Sequence, residues 1–95
     1  MKYEQTRKTH DLKIVEPYTT AVRSGAKKFE IRKNDRDFRV GDILILNPFD
    51  KRKNKYIEGE GHYDINALPI IRRISYMTDY EQKEEYVVLS LQHLD

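Results

Sequence analysis

The 95-residue chain contains no cysteine. That absence removes a disulfide framework, thiol chemistry and thiolate metal sites together, and makes a cytoplasmic setting the expectation. No stretch approaches the roughly 20 apolar residues that a spanning helix needs, so no membrane association is expected. The first residues, MKYEQTRK, are polar and lack the apolar stretch of a signal peptide; they read as a frayed arm. Glycine and proline are scarce, at four and three, and no glycine-rich loop is spaced to cradle phosphate. His10, Asp11, His62 and Asp64 are ligating types, yet no helical histidine pair and no glycine-turned carboxylate loop occurs, so neither a metal nor a cofactor is expected. No order of Ser, His and Asp suggests a nucleophilic triad. Repeats and low-complexity tracts are lacking too. The length suits one core, so the expected organisation is an arm at 1–9 and a single domain at 10–95.

What is present is charge. Hydrophobic residues make up 38% and charged residues 36%, so the core must be compact and its strands few. The net charge of +2 hides a separation: residues 23–55 hold eleven Lys/Arg against five Asp/Glu, whereas residues 78–95 hold one against five. An electropositive side of this kind suits a polyanion.

Along the chain, Leu12, Lys13, Ile14 and Val15 read as a short first strand entered from His10 and Asp11. Glu16-Pro17 then opens a helix, since proline fits a first helical position. Tyr18, Ala21 and Val22 form its apolar stripe, and Ser24-Gly25 closes it, with glycine free to take positive φ. A second strand over residues 28–33 places Phe29 and Ile31 on one face and Lys28, Glu30 and Arg32 on the other. After a polar connector, Val40-Gly41-Asp42 turns into Ile43-Leu44-Ile45-Leu46-Asn47, apolar on both faces and therefore central or barrel-lining; Pro48 should end regular pairing on that side. Residues 50–64 read as a long loop or a β-arm around Tyr56-Ile57. Strands over 70–77 and 86–92 follow, with Arg72 and Arg73 pointing opposite ways and Val87, Leu89 and Leu91 pointing inward. The fold class expected is a small mixed α/β pseudo-barrel of about five mostly antiparallel strands, with one early short helix beside a cleft.

The most informative stretch is Gly25-Ala26-Lys27-Lys28-Phe29-Glu30-Ile31-Arg32. Three charged side chains at a strand start are costly to bury, and a sheet built only for stability would carry valine or threonine there. Gly25-x-Lys27-x-x-Glu30-x-Arg32 resembles the G-x-K-x-x-E-x-R pattern of ASCH domains, which belong to the PUA-like barrel superfamily. Four blocks, HDLKI at 10–14, FEIRKNDR at 29–36, VGDILIL at 40–46 and YVVL at 86–89, are similar to a short bacterial and phage subfamily, and the likeness runs from about residue 10 to 93.

That resemblance implies a pseudo-barrel whose cleft binds RNA or a modified nucleoside. Lys27, Glu30 and Arg32 would line the cleft. Arg23, Lys28, Lys33 and the basic loop of Lys51, Arg52, Lys53 and Lys55 are the candidate phosphate contacts. A carboxylate accepts from an exocyclic amine such as cytosine N4, and a guanidinium grips phosphate or carbonyl oxygens with a planar fork. Tyr18, Tyr63, Tyr76, Tyr80 and Tyr86 are candidate stacking platforms. The alternative in another class is an amidohydrolase acting on N4-acetylcytidine-type nucleosides, with Lys27 as base and Glu30 as proton shuttle. Such relatives carry threonine in place of Glu30 and an acid in a longer segment before the last strand; residues 78–85 are short. A third expectation is a phage or bacterial accessory module that docks a protein on its acidic side at Asp79, Glu81, Glu84 and Glu85, or along an exposed strand edge. Each reading is compatible with a monomer or weak dimer.

Overall fold

The computed structural model describes residues 7–59 and 64–94. Six strands and one α-helix form a curled half-barrel: β1 (Thr9–Ile14), α1 (Tyr18–Ser24), β2 (Phe29–Lys33), β3 (Ile43–Asp50), β4 (Lys55–Tyr56), β5 (Ile70–Thr78) and β6 (Tyr86–Gln92), with a 3-10 turn at Ile65–Ala67. The sheet order is β1-β3-β5-β6-β2, with β4 paired to the end of β3. Only β1 and β3 run parallel, from Thr9 opposite Ile43 to Ile14 opposite Pro48; the other ladders are antiparallel. Among the described residues no helix is long and apolar enough to cross a membrane.

The core fills the concave side. Alternate residues of β1 (Leu12, Ile14), β3 (Leu44, Leu46), β5 (Ile70, Ile74) and β6 (Val87, Leu89) meet Val22 from the helix and Phe38 from the β2–β3 connector. Leu44, Leu46, Ile74 and Leu89 are fully buried, each worth roughly 1.5–3 kcal/mol relative to exposure. β3 is flanked by β1 and β5, the central one of the two places its two-faced apolar run allows, and Leu91 packs on the core beside Val87 and Leu89 as expected. The strand nevertheless runs through Pro48 to Asp50. Pro48 is the last residue of the β1 ladder and lies beyond the β5 ladder, which ends at Leu46 opposite Ile70, so a missing N–H costs little there. The β-arm at Tyr56 forms, with Tyr56 opposite Phe49.

Two other expectations shift. β1 starts at Thr9, so His10 and Asp11 lie inside the strand, and the backbone N–H of Lys8 is already held by Asp42. The helix stripe is Thr19 and Val22; Tyr18 is 52% exposed. Pro17 stands just before the helix, whose first turn is capped by the Glu16 carboxylate accepting from the N–H and hydroxyl of Thr20. Gly25 ends the helix at φ 88°, the left-handed conformation that its missing Cβ permits.

A buried polar knot pins the start of β3. Gly41, at φ 99°, turns the chain so that Asp42 points inward. Its Oδ1 accepts from Lys8 N–H at 3.0 Å, and its Oδ2 accepts from Arg39 N–H at 3.1 Å and from His10 Nε2 at 2.8 Å. The His10 ring in turn meets Phe38 edge-on, with centroids 4.7 Å apart.

Candidate functional site: a charged hollow at the barrel seam

The strand order makes β1 and β2 the two outer strands of the curled sheet, and curling brings them face to face without pairing. An unpaired edge leaves carbonyls that need donors. Two arginines supply them: Arg32 Nη2 donates to Lys13 O at 2.6 Å, and Arg36 Nη1 donates to Asp11 O at 2.9 Å. Residues 11 and 13 are two apart, so their carbonyls share one edge of β1. The seam is thus closed by guanidinium staples where a full barrel would use a ladder.

Beside the Arg32 staple lies a hollow of about 490 Å³ between β1, the start of α1 and β2. Lys27, Glu30 and Arg32 all line it, and they form one network. Glu30 Oε1 accepts from Lys27 Nζ at 2.8 Å, and Glu30 Oε2 accepts from Arg32 Nε at 2.9 Å. The carboxylate side chain is only 6% exposed, against 18% for Lys27 and 25% for Arg32. Glu30 therefore sits behind the two cations, and the groups presented to a ligand are chiefly their remaining N–H donors. Lys27 Nζ also donates to Phe29 O at 2.6 Å and lies over the rings of Phe29 (4.6 Å) and Tyr18 (5.5 Å). These aromatic side chains are 42% and 52% exposed at the rim.

β2 is inverted relative to an ordinary amphipathic strand. Its buried position is Glu30, while Phe29 and Ile31 face outward at the hollow. The cause is the seam: an inward Glu30 collects both cations, and an inward Arg32 reaches the free carbonyl of β1. Alternation in the sequence separates the two faces correctly but does not say which one turns inward. The strand also begins at Phe29, leaving Lys27 and Lys28 in the corner after the helix, where Lys27 N–H is tied to Ala21 O at 2.9 Å.

The other candidate residues are dispersed. Lys28 lies behind Lys27, on a second hollow of about 330 Å³. Arg23 donates to Leu68 O at 2.8 Å, and Lys33 stands 3.6 Å from Glu85. Lys51, Arg52, Lys53 and Lys55 are exposed on the β3–β4 hairpin, whose turn is fixed by Asp50 Oδ1 accepting from Arg52 and Lys53 N–H; none of them lines the first hollow. Of the described tyrosines, Tyr18 alone lines it; Tyr76 and Tyr80 are exposed elsewhere, Tyr86 lies 5.8 Å from the Lys83 ammonium, and Tyr63, like His62, is outside the described residues. Sequence reasoning missed Ile14 and Val15, which form the opposite wall, and Arg36 and Arg72. The long-range meeting of β1 with β2 makes Ile14, Val15 and Arg36 neighbours of the motif, and the packing of the helix beside β5 does so for Arg72, whose one local signal was the adjacent arginine pair at 72–73.

A small half-barrel with a charged, aromatic-rimmed hollow at its open seam is the class that fold and site define. Over residues 9–91 the chain matches the family described as a domain of unknown function, DUF3850, and it belongs to that family. No curated protein matches it.

Proposed function

We propose that the seam hollow binds a nucleobase of single-stranded RNA or of a modified nucleotide, as an ASCH-type, PUA-like cleft would. One observation carries the reading: two cations, held in place by a buried carboxylate, stand at the wall of a cavity rimmed by exposed aromatic rings. Planar ligands rich in oxygen acceptors match that pattern. Tyr18 and Phe29 provide π-faces for stacking, and Lys27 and Arg32 donate to ring carbonyls. A volume of about 490 Å³ lies within the range of small-ligand sites. The four sequence blocks that resemble ASCH domains supply β1, the Lys27 corner with β2, the turn into β3, and β6, and the excess of basic residues at 23–55 suits an RNA backbone.

Binding is favoured over hydrolysis. Lys27 is ion-paired with Glu30 and donates to Phe29 O as well, and both oxygens of Glu30 are engaged, so the two groups are committed to each other and to their neighbours in the arrangement seen. Titration of labelled short single-stranded RNA, with fluorescence anisotropy as readout, tests the proposal. Tyr18→Ala and Phe29→Ala should each weaken binding by roughly tenfold, since stacking is worth about 1–3 kcal/mol per base. Equal affinity in both variants would remove the hollow from recognition. Release of cytidine from N4-acetylcytidine, lost in Lys27→Ala, would replace binding by catalysis.

The hairpin gives a separable prediction. Replacing Lys51, Arg52, Lys53 and Lys55 by alanine should reduce the slope of log affinity against log salt by about 1.5–3 if the hairpin contacts two to four phosphates. An unchanged slope removes the hairpin from the binding surface.

A further inference from the structure

We propose that the hollow behind Lys27 is a phosphate subsite, so that the ligand of the seam is a phosphorylated nucleotide or a strand, and not a free nucleoside. This inference rests on the reading of the first hollow as a nucleobase site, and it adds where the attached phosphate goes. Lys27 is common to the walls of both cavities, so a ligand seated in the first has its next group within reach of the second.

The second hollow, about 330 Å³, is walled by the end of α1, by Lys27 and Lys28, by Arg72 of β5 and by His93 after β6, and among the described residues no carboxylate lines it. The two cavities on the other side of the Arg32 staple differ: one sets Asp11 and Asp35 among Lys13, Arg32, Lys33 and Arg36, and the other includes Asp11. Behind Lys27 the described lining thus sets cations together with no carboxylate among them, whereas the first hollow and these two cavities each include at least one. Glu30 already serves Lys27 and Arg32. Among the described residues, Lys28, Arg72 and Arg23 have no acidic partner.

Arg72 and Lys28 do have a structural task, since they serve the last carbonyls of the helix. Arg72 Nη2 donates to Val22 O at 3.2 Å, and Lys28 Nζ donates to Gly25 O. That task does not use them up. A helix end carries at most about half a negative charge. Arg72 spends two N–H groups, on Val22 O and Ile71 O, and keeps three of its five; Lys28 keeps two of three. Arg72 lies on the inner face of β5, between Ile70 and Ile74, and is partly withdrawn from water. Burial first, and the nearby Arg23 charge second, push its guanidinium below its ordinary value. A dianionic or monoanionic phosphate placed between Lys28 and Arg72 would relieve that crowding and meet a guanidinium fork, the geometry suited to its oxygens.

The test compares the four ribonucleosides with their 5′- and 3′-monophosphates and with trinucleotides, by amide chemical-shift titration of the intact protein. The expected result is at least tenfold tighter binding of one monophosphate isomer than of its nucleoside, with shifts at Lys28, Arg72 and His93. In Lys28→Ala/Arg72→Gln the ratio of the two affinities should fall to near one. Equal affinities for nucleoside and both isomers in the unaltered protein, or a ratio preserved in the double variant, would overturn the subsite while leaving the nucleobase reading intact. Trinucleotides separate the sources of the group: a terminal phosphate is indicated if they bind no better than nucleosides, an internal diester if they match or exceed the monophosphate. Should no base-bearing ligand bind, the nucleobase reading fails, and inorganic phosphate decides the subsite alone. Shifts at Lys28, Arg72 and His93 that vanish in the double variant support it, and their absence overturns it.

Discussion

Replacing Asp42 by alanine should remove roughly 3–5 kcal/mol of folding stability, a large part of the ~5–15 kcal/mol typical of a domain. The carboxylate is 1% exposed and satisfies three donors: Lys8 N–H, Arg39 N–H and His10 Nε2. Alanine leaves two backbone N–H groups and an imidazole, itself 6% exposed, without an acceptor. The knot also fixes where β1 lies against β3, so its loss acts on the seam as well as on the core. Urea denaturation followed by circular dichroism provides the measurement; a shift in stability below about 1 kcal/mol would mean that water replaces the carboxylate.

Acid should reveal the same group. Burial by itself would raise the Asp42 carboxyl. The hydrogen bond from His10, those from the Lys8 and Arg39 backbones and the His10 charge outweigh it and hold the carboxyl below its ordinary value. A depressed folded value means that the contribution is fully present above the unfolded value of about 3.9 and is lost as pH falls through the lower, folded one. The stability curves of the natural protein and Asp42→Asn should therefore be well separated at pH 6 and converge below about pH 4.

Much of this fold was legible in the residues, because local physics settled it. Gly25 could stop the helix in a left-handed conformation, the two-faced run at 43–47 had to be central or line the barrel, and Tyr56 found its partner in Phe49 across a short hairpin. The motif also assembled as the spacing suggested, since residues 30 and 32 share a strand face and Lys27 is a corner away. What stayed hidden was decided by distant partners. Whether Phe29 or Glu30 turns inward depends on the bare carbonyl of Lys13, sixteen residues before Phe29 in the chain and across an unpaired seam. Likewise, opposite faces for Arg72 and Arg73 follow from strand alternation, but the meeting of Arg72 with Val22 O depends on where the helix packs.

The second large effect is expected at Glu30, and its sign distinguishes two kinds of binding. Glu30→Gln keeps the shape of the side chain but removes the charge shared by Lys27 and Arg32. If the seam attracted RNA by net charge alone, losing a negative group would strengthen binding and steepen the salt slope. If the hollow works by holding two donors in fixed positions, the neutral side chain should weaken binding of the preferred nucleotide by roughly 10–100-fold. Removing one member of a buried hydrogen-bonded charge pair typically costs about 2–5 kcal/mol, and Lys27 and Arg32 keep partial access to water. The geometry favours the second outcome: the carboxylate is nearly hidden and each of its oxygens is committed, so its influence on a ligand must pass through the placement of the cations. Measuring mononucleotide affinity and the salt dependence of RNA binding on the same variant separates the two effects. Tighter mononucleotide binding by Glu30→Gln would overturn the positioning role, because a donor pair that improves when its anchor is neutralised was never held by that anchor's charge.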